Sequence, residues 1–541
     1  MTLFVIPRLR GRLIGTAAVA TLSLMALTAC TPGGGAADPD SPPAEGGTLR
    51  VLLAAQATCI DPAVAFSQNE RAIARPIADS LVSMDRDTGE IKSWLAEKWE
   101  VNENSTEFTF HLRGGATFSD GTPVDAEAVK STLDYLTENL LTSSFRGAGY
   151  LRNYVKTEVV DAQTARVVLG APAPHFLAGA TTNTLGILSV SSAKKTRDER
   201  CAGDYIGSGP FTLDQYTQGQ TAKLVKRRDY QWGNATADHE GPAHLDAINF
   251  QIVNVSNARS GSLQSGQADV VIDVAKEDIP VLEKSATVMF GTQPGMAVSL
   301  LANSARPGLR DTAMLEALRT GFDRSSAVKA ILGDHYAAAS SVLTTNLPQY
   351  KDESTLLEFN PERAEKALTD AGWVAGSDGV REKDGVRAEF DLNFTSTYGA
   401  PYSQMLQLFQ QQMKDLGIVI NLNDLLQAGL LQTISTHDYD FYVTSLTDVD
   451  PDIVRSTATR ILDAETLKSS GVLALFDATT QETDPSARAA LFGDVQDALI
   501  EQGFVIPLWE AGQLVASGRK VQHLGMDFQG YLDFYDTSLA K

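Results

Sequence analysis

The chain has 541 residues, 45 of them basic and 67 acidic, for a net charge of −22. So acidic a surface argues against nucleic acid as a partner and keeps the protein dissolved beside a charged surface. A length well beyond about 300 residues exceeds what one hydrophobic core supports, so two or three lobes are expected.

Residues 1–12 carry Arg8, Arg10 and Arg12 and no acid, and residues 13–29, "LIGTAAVATLSLMALTA", are uncharged and apolar or small. This is the pattern of a secretory signal peptide, too short for the ~20 residues of a spanning helix. "LTAC" at 27–30 resembles the lipobox of bacterial lipoproteins. The resemblance implies that Cys30 becomes the lipidated first residue of the mature protein, because two or more acyl chains hold a protein stably to a bilayer. Residues 31–47, rich in Gly, Pro and Ala, read as a flexible tether. Cys59 and Cys201 are the other two cysteines. Export permits a disulfide, and two candidates leave one intramolecular pairing.

In chain order, "GTLRVLLAA" (47–55) reads as a strand. Residues 70–85 read as a helix with Ile73, Ile77, Leu81 and Met84 on one face. "STEFTFHLR" (105–113) alternates Phe108, Phe110 and Leu112 as a half-buried strand, and these aromatics, with Trp94 and Trp99, are expected in the core. Residues 118–136 read as a turn and then a helix entered through Thr122-Pro123. Strands follow at 165–170, on both sides of Gln218-Gly219 within 208–227, and at 297–304. Residues 310–332 form one long helical pattern. A helix in 360–373 has Asn360 as N-cap and Pro361 at its first position, and another spans 402–418. A strand at 438–446 and a helix–strand–strand run at 487–517 complete an α/β chain.

Catalytic and metal signatures fail on spacing. His239 and His244 are five apart with Pro242 between them, whereas a zinc helix needs four. The acidic runs at 85–90 and 448–452 lack the Gly and Glu of a calcium loop. No nucleophile elbow and no phosphate-binding glycine loop occurs. No catalytic residue, metal site or cofactor is expected, and the chain does not read as an enzyme.

Five blocks in one order resemble the large, cluster-C extracellular solute-binding proteins of family 5, which serve peptide and nickel ABC importers: 94–135, "GSGPFTLDQY" (207–216), 318–332, 359–373 and "DYDFYVTSLTDVDPD" (438–452). The resemblance implies a two-lobed periplasmic-binding-protein fold of type II with an extra subdomain on the first lobe. Residues 1–29 are then the signal peptide and 30–47 the lipidated tether. Residues 48–83, 204–295 and 505–541 build lobe I, 84–203 its inserted subdomain and 296–504 lobe II. The chain would cross between lobes near 295 and near 505, making a hinge.

In peptide-binding members an aspartate before an Asp-Pro pair receives the peptide's amino terminus. Asp448 is the candidate here, but Asp448-Val449-Asp450-Pro451 is one residue shorter than the family's spacing, and Asp450 is the alternative. By the same resemblance, Ser445, Leu446 and Thr447 run beside the ligand and Arg455 meets a carboxylate. Phe66, Ser67, Gln68 and Asn69 face them from lobe I, and the two remaining cysteines lie near that lobe's share of the cleft. The implied protein is an extracytoplasmic monomer, lipid-anchored to the cell membrane, that passes a di- or oligopeptide to membrane permease subunits. A metal chelate, opine or oligosaccharide importer, or a non-transport sensor lipoprotein of the same fold, is the alternative.

Overall fold

The strand Thr48–Leu53 is apolar at four of its six positions because it lies inside a sheet, with a parallel neighbour on each side. A computed structural model describes residues 42–65, 67–140, 147–396, 399–462 and 464–541. The expected signal segment, Cys30, most of the tether and Phe66 lie outside the described residues.

Among the described residues, the first large sheet has seven strands, in the order Ala286–Thr292, Gly512–Gly518, Val270–Ile272, Thr48–Leu53, Ala247–Ile252, Thr221–Lys226 and Phe211–Thr217. Val51 stands opposite both Phe250 and Val270. The second has five, in the order Val419–Asp424, Glu389–Phe394, Phe441–Thr447, Gly295–Ala302 and Val505–Trp509. Here Gly295–Ala302 is buried at every residue, as a strand paired on both edges and covered on both faces must be. A smaller four-stranded sheet, Ala96–Val101, Glu107–Leu112, Thr164–Leu169 and Tyr154–Asp161, carries the helix Ala126–Asn139. Phe108 and Phe110 point from it into the core against Phe176, with the Phe108 and Phe176 ring centroids 4.8 Å apart. Trp94 is buried there too, whereas Trp99 is half-buried. One continuous apolar core joins this sheet to one face of the seven-stranded sheet and runs on to one face of the five-stranded sheet; a second fills the other face of the five-stranded sheet and a third the other face of the seven-stranded one.

Several boundaries differ from the sequence reading. The helix expected over 70–85 is only Gln68–Ala74 plus a short 3-10 turn, Arg75–Ile77, because Pro76 has no N–H to continue the ladder. The helix Ala126–Asn139 starts at the Asp125 cap rather than at Thr122-Pro123, since Pro123 bridges back to Thr117. Residues 310–332 are two helices, Thr312–Thr320 and Arg324–Ile331, because Asp323 caps a fresh start. Residues 45 and 46, expected in the tether, contact the folded chain: Glu45 pairs with His244 at 2.8 Å and the Gly46 N–H donates to the His244 carbonyl at 2.9 Å. The return from the second sheet to the first lies at 510–511 rather than near 505, because Val505–Trp509 pairs with Gly295–Ala302.

Cys59 and Cys201 are joined by a disulfide across a sequence separation of 142 residues. Beside it the Arg200 guanidinium grips the Asp61 carboxylate at 2.8 Å, both side chains being almost wholly buried. Closing so long a loop restricts the unfolded chain by about 4–5 kcal/mol in the chain-entropy model. Cys59→Ser/Cys201→Ser should lower the urea-unfolding free energy by a large part of that. A double variant as stable as the oxidised wild type would show that the bridge is not formed in the native protein.

Candidate functional site

The polypeptide passes between the two large sheets twice, at 293–294 and at 510–511. The passages touch, the Gln293 N–H donating to the Ala511 carbonyl at 2.9 Å. Residues 344–346 fasten both. Thr344 Oγ1 accepts from the Gly295 N–H at 3.1 Å, and Asn346 Nδ2 donates to the Thr292 carbonyl at 3.2 Å. Thr345 gives its N–H and its hydroxyl to the Glu510 carboxylate, each at 3.0 Å. Burial raises the Glu510 carboxyl above its ordinary range, against the lowering effect of the Thr345 bonds.

Asp448 stands directly beside the first passage. Its N–H donates to the Pro294 carbonyl at 2.9 Å, immediately after Thr447 pairs with Gly295. Gly295 is at φ 125°, and a Cβ there would lie 2.2 Å from the Leu446 carbonyl oxygen and 2.7 Å from the Asp448 nitrogen, so only glycine admits this approach. The Asp448 carboxylate accepts a hydrogen bond from the Tyr150 hydroxyl, which arrives from the short helix Ala148–Leu151 beside the four-stranded sheet. Burial first, and then the Asp448 charge, raise the Tyr150 phenol well above its ordinary value, so it stays protonated and donates. Gly179 leaves room for that ring: a Cβ there would fall 2.4 Å from Tyr150 Cγ.

Asp450, the alternative to Asp448, has its charge taken by another residue. Arg488 holds both its oxygens, at 2.9 and 2.8 Å, and both side chains are buried. Burial opposes ionisation of Asp450, but the Arg488 charge outweighs it and keeps the carboxyl below its usual range. Arg455 is likewise committed, to Asp452 at 3.2 Å, Asp477 at 3.2 Å, Thr480 Oγ1 at 2.6 Å and the Phe476 carbonyl. Ser445, Leu446 and Thr447 are half-buried at the end of Phe441–Thr447, and the Thr447 hydroxyl donates to Gln293 Oε1 at 3.3 Å.

On the opposite side, Ser67 caps the helix Gln68–Ala74 in a capping box with Glu70. Asn69 Oδ1 accepts from the Ala54 N–H at 3.1 Å, and Gln68 Nε2 donates to Asp273. Asp273 stands at φ 54°, an uncommon backbone conformation for a residue other than glycine. The sequence reading missed Tyr150, Arg488 and residues 344–346, whose partners lie far away along the chain. His239 and His244 stack on each other with centroids 4.4 Å apart. His239 is bound by Asp536 and the Pro242 carbonyl, and His244 by Glu45.

A family model for bacterial extracellular solute-binding proteins, family 5 Middle, matches residues 90–459. The chain belongs to that family and is an extracytoplasmic solute-binding component of an ABC importer. Among its relatives, the glutathione-binding protein GsiB of Escherichia coli K12 is 25% identical over 371 residues, covering 68% of this chain and 67% of that protein. NikA from Brucella suis, solved with Fe(III)-EDTA, is similar in fold with a TM-score of 0.79 and 20% identity, covering 91% of this chain and 100% of that one. DppA from Helicobacter pylori, solved with the peptide STSA, has a TM-score of 0.74 and 19% identity, covering 92% and 99%.

The Asp450–Arg488 pair generates a test. Asp450→Asn leaves the buried Arg488 charge without its partner, a loss of about 3–5 kcal/mol. Because the Asp450 carboxyl is depressed in the folded state, the stability it supplies is complete above its unfolded value near pH 4 and is lost as pH falls through the folded value. Chemical denaturation of wild type and variant should therefore diverge at pH 7 and converge under acid. Equal stability at pH 7 would remove the pair from the structural account.

Proposed function

We propose that this protein captures a peptide-like solute between the two large sheets and hands it to a membrane permease as a monomeric lipoprotein anchored through Cys30. It binds and performs no chemistry on the solute. The observation that carries this reading is the placement of Asp448 against one of two touching passages between the sheets. A rotation about those passages would bring the sheets together over a bound molecule. The 25% identity to a glutathione-binding protein supports a short peptide with a free amino terminus.

In this reading Asp448 receives the solute's ammonium. A charge taken from water into a closing cleft needs a partner. Tyr150 holds the carboxylate in a fixed orientation and supplies a proton donor beside it. Asp450 and Arg455 act as supports that shape the loop. Ser67, Gln68 and Asn69 set the opposing backbone.

Native mass spectrometry of protein purified without refolding should reveal a bound peptide, released on denaturation. In calorimetry with that peptide, Asp448→Asn should weaken binding by roughly two to three orders of magnitude, the fold-change of losing one member of a buried charge pair. N-acetylation of the peptide should cost the wild type a similar factor. Unchanged affinity in both experiments would remove the ammonium role of Asp448.

A further inference from the structure

Arg71 lies one turn beyond Gln68 on the same short helix, and only 3% of it is exposed. Its Nε donates to the Ala65 carbonyl at 3.2 Å and its Nη1 to Gln529 Oε1 at 3.2 Å. The guanidinium lies over the Tyr531 ring, 4.7 Å from the centroid. Among the described residues it forms no ion pair with a carboxylate, and its Nη2 donates to no protein group. The Asp527 carboxylate acts on Arg71 only at longer range, shares that influence with Arg75, and accepts the Tyr531 N–H at 3.0 Å.

Several other buried arginines are committed to protein groups, although Arg319, bonded to the Ile500 carbonyl at 2.6 Å, also lacks a carboxylate. Arg200 and Arg488 have carboxylates, at 2.8 Å each. Arg259 caps three carbonyls, those of Ile272, Val253 and Asp273, and Arg324 caps those of Pro507, Phe322 and Leu357. Arg71 instead is fixed on one edge and one face, with the other edge unassigned. A planar fork held in this way suits a carboxylate, which it can take in two parallel hydrogen bonds.

Its place in the fold supports a solute as the source of that carboxylate. The turn carrying Gln529 and Tyr531 packs on the first passage between the sheets: a Cβ on Gly530 would lie 2.8 Å from the Thr292 carbonyl oxygen. Asp448 is bound to the same passage two residues later, at Pro294. Arg71 is thus tied through the 529–531 turn to the passage that Asp448 also binds, an arrangement that suits a solute carrying both an ammonium and a carboxylate. Resting on the solute-binding reading, we propose that Arg71 is a specificity-determining residue that receives a carboxylate of the solute, so that the preferred ligand is a peptide with a free acid group.

The test is calorimetry of wild type, Arg71→Gln and Arg71→Lys against a library of di- and tripeptides, each as the free acid and as the C-terminal amide. The wild type should prefer the acid by roughly 10- to 100-fold, the range of a hydrogen bond to a charged group. Arg71→Gln should bind acid and amide alike, and Arg71→Lys should keep part of the preference. Ligand-free thermal unfolding separates a structural role, in which Arg71→Gln would melt earlier yet keep the full preference for the acid. That result, or a wild type indifferent to amidation, overturns the assignment of Arg71 alone. A wild type that binds no peptide in either form overturns the peptide reading and the assignment together.

Discussion

The grip of residues 344–346 on both passages is the constraint on which the remaining structure depends. Two sheets joined by two unfastened strands could slide, twist or separate. Here Thr344, Thr345 and Asn346 bond to Gly295, Glu510 and Thr292, so the passages behave as one short axis. Glu510 is a buried carboxylate held by a backbone N–H and a hydroxyl rather than by a cation. That arrangement is specific in direction and weak in net energy, as suits a segment that must bend without parting.

Charge near this axis divides into groups that are satisfied locally and groups that are poised. Asp450 with Arg488, and Asp61 with Arg200, are buried pairs whose members neutralise each other. They fix the loop after Phe441–Thr447 and the region of the disulfide. Asp448 meets a neutral phenol, and Arg71 meets a carbonyl, an amide oxygen and an aromatic face. Neutral partners orient the Arg71 guanidinium without cancelling its charge, so it keeps electrostatic attraction for an incoming carboxylate.

Much of the fold was legible because it depends on local pattern. Alternation in Glu107–Leu112, the Asn360 cap with Pro361, and the glycine-bounded hairpin near Gln218-Gly219 are short-range signals. The disulfide needed only export and a count. The ends of the elements were less legible: Pro76 stopped a helix whose apolar spacing continued, and Asp323 started a new one inside a continuous pattern. The second passage was misplaced because Val505–Trp509 is apolar throughout and carries no mark of which sheet it joins; its pairing with Gly295–Ala302 decides. Asp448 is a candidate through its block, but Tyr150 lies 298 residues away and Arg488 lies 38 residues from Asp450. Partners so remote leave no trace in local spacing, so the commitment of Asp450 to Arg488 did not show in the sequence.

Closure of the two large sheets about the fastened passages over a solute makes the molecule more compact. Small-angle X-ray scattering across a titration with the peptide recovered from the native protein measures this directly. The radius of gyration should fall and saturate at the same peptide concentration as calorimetric binding. A radius that stays constant while calorimetry shows the site filling would contradict it.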